Sequence, residues 1–282
     1  MTDSRWSDLD RPPLRGSALE RALVRPGGLW TSVRVVAETG STNSDLAAAA
    51  AGGAAAGAVL VAEEQTAGRG RLERSWTAPA RSGVFLSMLL RPEVPKERWG
   101  WLPLLVGVAA GSALSAAAEV EVRLKWPNDL LVTVDGEERK LGGILAEAAG
   151  DAVVVGIGLN VSLRAEELPV PAAGSLALAG SAVTDREILL RALLRTFEDL
   201  YLEWVAGGGD PGLSGLRPAY RAQCATLGRR VRVELPGDRV LLGEAVDVDE
   251  DGRLVVRDSG GGSTAVGAGD VVHVRGDAAG PA

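Results

Sequence analysis

The sequence predicts an α/β protein that ends in a small all-β unit, and three observations carry this. From Val33 to about Cys224, apolar β-branched stretches alternate with alanine- and leucine-rich segments of helical period. After Cys224 the helical period disappears, and short strands with turn residues follow. The chain of 282 residues, 46% hydrophobic and 24% charged, is long enough for one good-sized core plus a small accessory domain.

Residues 1–30 form a proline- and arginine-bearing lead, expected to be partly disordered. Met1 to Arg15 is polar, without the apolar segment of a secretory signal. VRVVAETG, from Val33, reads as a strand. Ser41 or Thr42 can cap the alanine-rich helix behind it, which the Gly52-Gly53 pair ends. AVLVAEEQ is strand-like, TAGRGRLERSW a loop and GVFLSMLLR another strand. A long helix is expected over roughly Glu97 to Ala118. Its run WLPLLVGVAAGSALSAAAEV is largely alanine and broken by glycine and serine, which favours a buried helix over a membrane span.

VRLKWPNDLLVTV, KLGGILAEAA and DAVVVGIGLNV are β-rich and joined by short turns such as VDGEE. VVVGIGLNV suits an exposed edge pairing between subunits and a buried strand equally well, so monomer and homodimer both stay open. Arg164 to Ser181 is a loop rich in Pro, Ala and Gly. A helix resumes at TDREILLRALLRTFEDLYLEWV, with Thr184 or Asp185 as its cap. The expected limits are 31–225 for the main domain, 226–276 for a small β-barrel or sandwich and 277–282 for a disordered tail.

A net charge of -7 argues against a general nucleic-acid binder. Ahead of the first strand there is no room for the three-helix unit of a DNA reader. The single cysteine, Cys224, rules out an internal disulfide and fits a reducing, cytoplasmic setting. No GxxxxGK phosphate loop occurs, and no GxGxxG follows a strand.

Lysine is used only at Lys96, Lys125 and Lys140, against 27 arginines, and asparagine only at Asn43, Asn128 and Asn160. All three asparagines and two of the three lysines sit in four segments: ETGSTN, EEQTAGRGR, KWPNDLL with KLGGILAE, and GIGLN. In AGRGR the glycines admit close backbone approach and the arginines suit carboxylate or phosphate. Alone, this motif reads somewhat more readily as a solvated loop. Pro127 forbids the middle of a central strand, so Lys125, Asn128 and Asp129 are presented at a strand end. The plain alternative is a surface turn. Lys140 precedes an apolar strand where arginine would serve an exposed edge equally well, so its ammonium points to an anion held in a tight place.

ETGSTN, QTAGRGR, KWPNDLL, KLGGILAE and GIGLNV, in this order and spacing, resemble biotin protein ligase, densely from Glu38 to Val161. The resemblance implies a mixed-sheet α/β catalytic domain of the biotin/lipoate ligase type, followed by an SH3-like β-barrel. It implies a two-step reaction: biotin and ATP give biotinyl-5′-AMP, and a lysine of a biotin carboxyl carrier domain of an acyl-CoA or pyruvate carboxylase then takes the biotin. Such chemistry needs anions positioned and charge stabilised, not a covalent nucleophile. The motifs accordingly hold no Ser-His or Cys-His pair; the lone His273 reads as structural or exposed, and Cys224 as a small core residue.

Carried over by position, the resemblance implies that Ser41, Thr42, Asn43, Gln65, Arg69, Gly70, Arg71, Lys140 and Gly143 bind biotin. It implies that Gly68, Arg69, Arg74, Trp76, Lys125, Asn128, Asp129 and Asn160 face ATP or the adenylate. Lys140, Arg71 and Asp129 would be catalytic, with Asp129 the Mg²⁺ ligand and a candidate for orienting or deprotonating the incoming amine. Two departures stand out. Leu72-Glu73-Arg74 replaces a further basic step after GRGR, and no DNA-binding unit is expected, so no repressor function and no DNA partner is carried over. The 164–180 loop would cover adenine.

The nearest alternative is a lipoate or octanoate ligase, whose aliphatic pocket would not need the STN and GRGR pair. A non-catalytic biotin sensor would be expected to have lost Lys140 or Asp129, and both are present.

Overall fold

The computed structural model describes residues 10–72, 74–235, 239–267 and 269–274. Residues 1–9 of the lead, Glu73 and the 277–282 tail lie outside the described residues.

The described part of the lead, from residue 10 onward, is folded against the main domain. Helix α1 (Gly16–Leu23) buries Leu19 and Leu23, one helical turn apart, and packs on strand β1 (Ser32–Val36). A buried ion pair fixes it from below. Arg186 reaches the Glu63 carboxylate at 2.5 Å and donates to the Pro12 carbonyl at 2.6 Å, while Glu63 accepts from the Leu14 N–H at 2.5 Å.

Helix α2 (Thr42–Ala51) and strand β2 (Ala58–Ala62) follow as expected. Gly53 takes a left-handed φ of 85° behind the Gly52 cap. The expected loop TAGRGRLERSW contains a short hairpin, β3 (Gly68–Arg69) with β4 (Ser75–Trp76). After β5 (Gly83–Leu90), the long helix begins as a 3₁₀ turn, Lys96–Trp101, and becomes α-helix α3 only at Leu102–Ala118. Its length and composition would suit a membrane span, yet 72% of its most apolar window is buried within the protein.

Strands β6 (Arg123–Lys125), β7 (Asp129–Val134), β8 (Glu137–Ala149) and β9 (Ala152–Asn160) complete the first sheet. Asp135 and Gly136 both have positive φ, 51° and 79°, as a two-residue hairpin that follows the strand twist requires. The strand order is β1-β2-β5-β9-β8-β7-β6, with β1 and β2 parallel and the other neighbours antiparallel. VVVGIGLNV is therefore a central strand, bonded to β5 on one side and β8 on the other. The edge reading is excluded.

Alternation along β9 decides what each face carries. Val153, Val155, Ile157 and Leu159 enter the main core beneath α3 and helix α4 (Arg186–Ala206). Val154, on the opposite face, joins a small cluster under α2. Gly156 and Gly158 share that face and leave it bare. Asp185, not Thr184, caps α4 by accepting from the N–H groups of Glu187 at 2.8 Å and Ile188 at 3.3 Å. A helix the sequence reading missed, α5 (Leu216–Gln223), lies in a Gly- and Pro-punctuated stretch and buries Leu216 and Tyr220.

The C-terminal unit is a five-stranded antiparallel sheet, β13-β12-β11-β10-β14, from β10 (Arg230–Leu235), β11 (Arg239–Val248), β12 (Leu254–Arg257), β13 (Ser263–Val266) and β14 (Asp270–His273). It shares one core with the first sheet. Trp101 and Trp126 donate their indole N–H groups to the carbonyls of Glu250 (2.7 Å) and Gly252 (3.0 Å). Cys224 is buried at the junction, bridged to Leu124.

His273 closes the same junction. Its Nδ1 lies 3.2 Å from an Arg229 nitrogen that can only donate, so the proton sits on Nε2, which faces Thr226 Oγ1 at 3.1 Å. Burial, then Lys125 and Arg229, lower its pKa from 6.5 to about 4. Between those values the unfolded chain binds a proton that the folded chain refuses, so stability falls as pH drops through this window. The loss is expected to reach about 2 kcal/mol near pH ~4.5. Urea unfolding of wild type and His273→Gln at two pH values measures it. Equal losses in both proteins would assign the acid sensitivity to other groups.

Candidate active site

A cavity of about 360 Å³ lies over the bare face of β8 and β9. It is walled by the N-terminus of α2, the β3–β4 loop, the β6–β7 turn and the near strands of the C-terminal sheet. The glycines of GIGLN make its floor. A Cβ on Gly156 would stand 2.1 Å from Asn43 Oδ1, and one on Gly158 2.9 Å from the Trp76 ring. Both side chains rest where only glycine leaves room.

At the α2 end, Ser41 is the N-cap residue but makes no side-chain capping bond. Gln65 does the work instead, its Oε1 accepting from the Thr42 N–H at 2.9 Å and from Thr42 Oγ1 at 3.1 Å. Asn43 donates to the Leu145 carbonyl at 3.1 Å and to Glu147 Oε2 at 2.8 Å, while Ser87 Oγ donates to its Oδ1 at 2.5 Å.

Asn128 is held in the same way. It donates to the Ile144 carbonyl at 2.9 Å and accepts from Arg71 at 3.1 Å. Asn160 donates to the Gly174 carbonyl at 3.0 Å. Each of the chain's asparagines thus gives an amide N–H to a main-chain carbonyl. Aspartate would set acceptor against acceptor there, a loss of about 1–3 kcal/mol for a buried group. This is the physical reason for the scarce amide at these positions.

Arg69, Arg71, Arg74, Lys125 and Lys140 all line the cavity, with Asp129 among them. Lys140 Nζ is 2.6 Å from Asp129 Oδ1 and 5.8 Å from the centre of the Trp76 ring. A bulge brings this about. Leu130 pairs with Gly142 and Leu131 with Lys140, so one extra residue of β8, Leu141, is passed over. In a regular strand Lys140 and Gly143 would face opposite ways. The bulge puts both on the face that carries Asp129. Pro127 sits in the turn that pairs Lys125 with Asp129.

Arg69 reaches Glu147 at 2.6 Å. Arg71 is half-buried, and desolvation lowers its pKa against the raising effect of Asp270 and Asp129. A cation held out of water attracts an incoming anion more strongly than a solvated one. The arrangement suits carboxylate and phosphate oxygens, beside a polar pocket of Ser41, Thr42, Asn43 and Gln65.

The structure thus gathers Ser41, Thr42, Asn43, Gln65, Gly70, Gly143, Arg74, Trp76, Lys125, Asn128 and Asp129 on the lining of one cavity. Two expected residues are not on its lining. Gly68 lies in the hairpin, where a Cβ would meet the Trp76 carbonyl at 2.4 Å. Asn160 is buried against residue 174 as a brace. No described residue of the 164–180 loop lines the cavity; it runs beside β8, through a bridge between Ala173 and Lys140. The sequence reading missed Ser87, Glu147, Glu234 and Asp270. Ser87 had a signal, as the one polar residue within GVFLSMLL.

Comparison with known proteins agrees with this geometry. Residues 28–162 match the biotin/lipoate A/B protein ligase family, and residues 226–274 match the biotin protein ligase C-terminal domain. The biotin–[acetyl-CoA-carboxylase] ligase of Mycobacterium tuberculosis is 46% identical over 98% of this chain and 100% of its own. The bifunctional ligase/repressor of Bacillus subtilis is 30% identical, over 72% of this chain and 62% of that protein. Among solved structures, the Aquifex aeolicus biotin protein ligase in complex with biotin and ATP superposes with a TM-score of 0.69 at 27% identity, covering 86% of this chain and 98% of that one. With both of its sheets matched and a relative aligned from end to end, the chain belongs to the biotin protein ligase family.

Proposed function

We infer that this chain is an ATP-dependent biotin protein ligase. In the first step a carboxylate oxygen of biotin attacks the α-phosphorus of ATP, and the bond to the bridging oxygen breaks to release pyrophosphate. In the second, the amine of a carrier lysine attacks the acyl carbon of biotinyl-5′-AMP and AMP leaves. Relatives named as acetyl-CoA-carboxylase ligases support a biotin carboxyl carrier domain as the acceptor. The need for ATP and a reduced Cys224 suits the cytoplasm.

One observation supports the residue roles: the Lys140–Asp129 pair, 2.6 Å apart, lines the same cavity as Ser41, Thr42, Asn43 and the arginines of the loop. Lys140 holds the negative charge shared by biotin carboxylate and α-phosphate. Arg69 and Arg71 bind the same anions from the loop side, and closing that loop keeps water from the adenylate. Lys125, Asn128, Arg74 and Trp76 form the nucleotide side. Asp129 is the residue that would hold Mg²⁺, a single carboxylate being in keeping with an ion whose other ligands are phosphate and water. When bound, that ion supplies neutralisation of phosphate charge. Asp129 also orients the incoming amine and accepts its proton.

The test is direct. The purified chain is mixed with ATP and Mg²⁺, biotin, lipoate and octanoate are added separately, and acyl-AMP is sought by mass spectrometry. Adenylate with biotin alone is the expected result. Adenylate with lipoate or octanoate instead would move the assignment to the related ligases, and none with any acid would favour a binding protein without catalysis.

A further inference from the structure

The described residues of the C-terminal sheet meet the AGRGR loop at two places. Arg74 forms an ion pair with Asp270, the first residue of β14. Arg71 donates to the main-chain carbonyl of the preceding residue, Gly269, at 3.4 Å. Asp270 and its cross-strand neighbour Glu234 both line the cavity, although Asp270 lies 196 residues along the chain from Arg74. The other end of the loop is tied to the first sheet, through Arg69 and Glu147. Its two ends are thus tethered to carboxylates on different sheets, with Arg71 between them.

We propose that Asp270 is a positioning residue for adenylation, fixing Arg74, and with it Arg71, over the nucleotide side of the cavity. The proposal rests on the ligase reading and assigns the C-terminal sheet a part in the first step of the reaction. Asp270 acts through Arg74 and touches no reacting atom. The Arg74 side chain is 65% exposed and that of Asp270 23%, so the pair adds little to stability. Its effect is on where the arginines stand. Loss of the carboxylate frees Arg74, and Arg71 is then held only by Asn128 and by the longer contact to the Gly269 carbonyl.

The experiment compares wild type, Asp270→Asn and Asp270→Glu in ATP–pyrophosphate exchange driven by biotin, with melting temperature and limited trypsin cleavage measured on the same samples without substrate. Trypsin cuts after arginine and so reads the freedom of the loop. Asp270→Asn is expected to raise the KM for ATP about tenfold, with kcat within about twofold. Melting temperature should be unchanged, cleavage at the loop arginines faster, and Asp270→Glu close to wild type. Unchanged KM for ATP with unchanged cleavage would overturn the proposal. So would a fall in kcat and melting temperature together, which marks a structural role. Wild type inactive in exchange would count against the ligase reading; the cleavage comparison then still decides whether Asp270 holds the loop.

Discussion

Lys140→Ala is expected to lower biotinyl-5′-AMP formation by about 10²–10³-fold, the usual consequence of removing one charge aimed at the transition state. The loss should fall on kcat more than on the KM for biotin, because Ser41, Thr42, Asn43 and Gln65 remain in place. Lys140→Arg is expected to restore little. The ammonium sits between the Asp129 carboxylate at 2.6 Å, the Trp76 ring and Gly143, a setting for a compact charge rather than a planar fork. The pair is partly solvated, with Lys140 37% exposed, so the melting temperature of both variants should stay near wild type. Single-turnover adenylation, followed by mass spectrometry, measures the effect. Activity in Lys140→Ala within about tenfold of wild type would remove Lys140 from the catalytic assignment.

The second large effect concerns stability. Arg186 and Glu63 have side chains only 4% and 8% exposed, and between them they hold the main chain at Pro12 and Leu14. Arg186→Met strands a buried carboxylate and is expected to cost about 3–5 kcal/mol. For a chain of this size that is a fall of roughly 10 °C in melting temperature. Glu63→Gln with Arg186→Met removes the stranded charge and should recover a large part of the loss. Calorimetry of the single and double variants checks both. A double variant no better than the single one would show that the loss comes from packing, or from the Pro12 contact, rather than from the unpaired charge.

The expected strands and helices, the buried long helix and the change to a small β unit all follow from periodicity and turn chemistry, which are local. So does the gathering of rare residues into four segments, because lysine and asparagine stand out against an arginine-rich chain. The pairing of Asp129 with Lys140 was legible as two candidate residues. What brings them to 2.6 Å is the bulge at Leu141, a matter of register between strands that no single stretch records.

The asparagines show the same division. Their scarcity marked them in the sequence, but only the structure shows that each donates to a carbonyl of a neighbouring segment. It also shows that Asn160 braces the chain at residue 174 rather than lining the cavity. VVVGIGLNV fitted an edge and a centre alike, since a strand's own side chains do not say how many neighbours its backbone has; the two partners of β9 settle it. Asp270 carried no sequence signal. Its approach to Arg74 is made by packing two sheets on one core. Contacts between residues far apart in the chain depend on the whole packed arrangement, whereas helix, strand and turn preferences are set by each residue and its near neighbours.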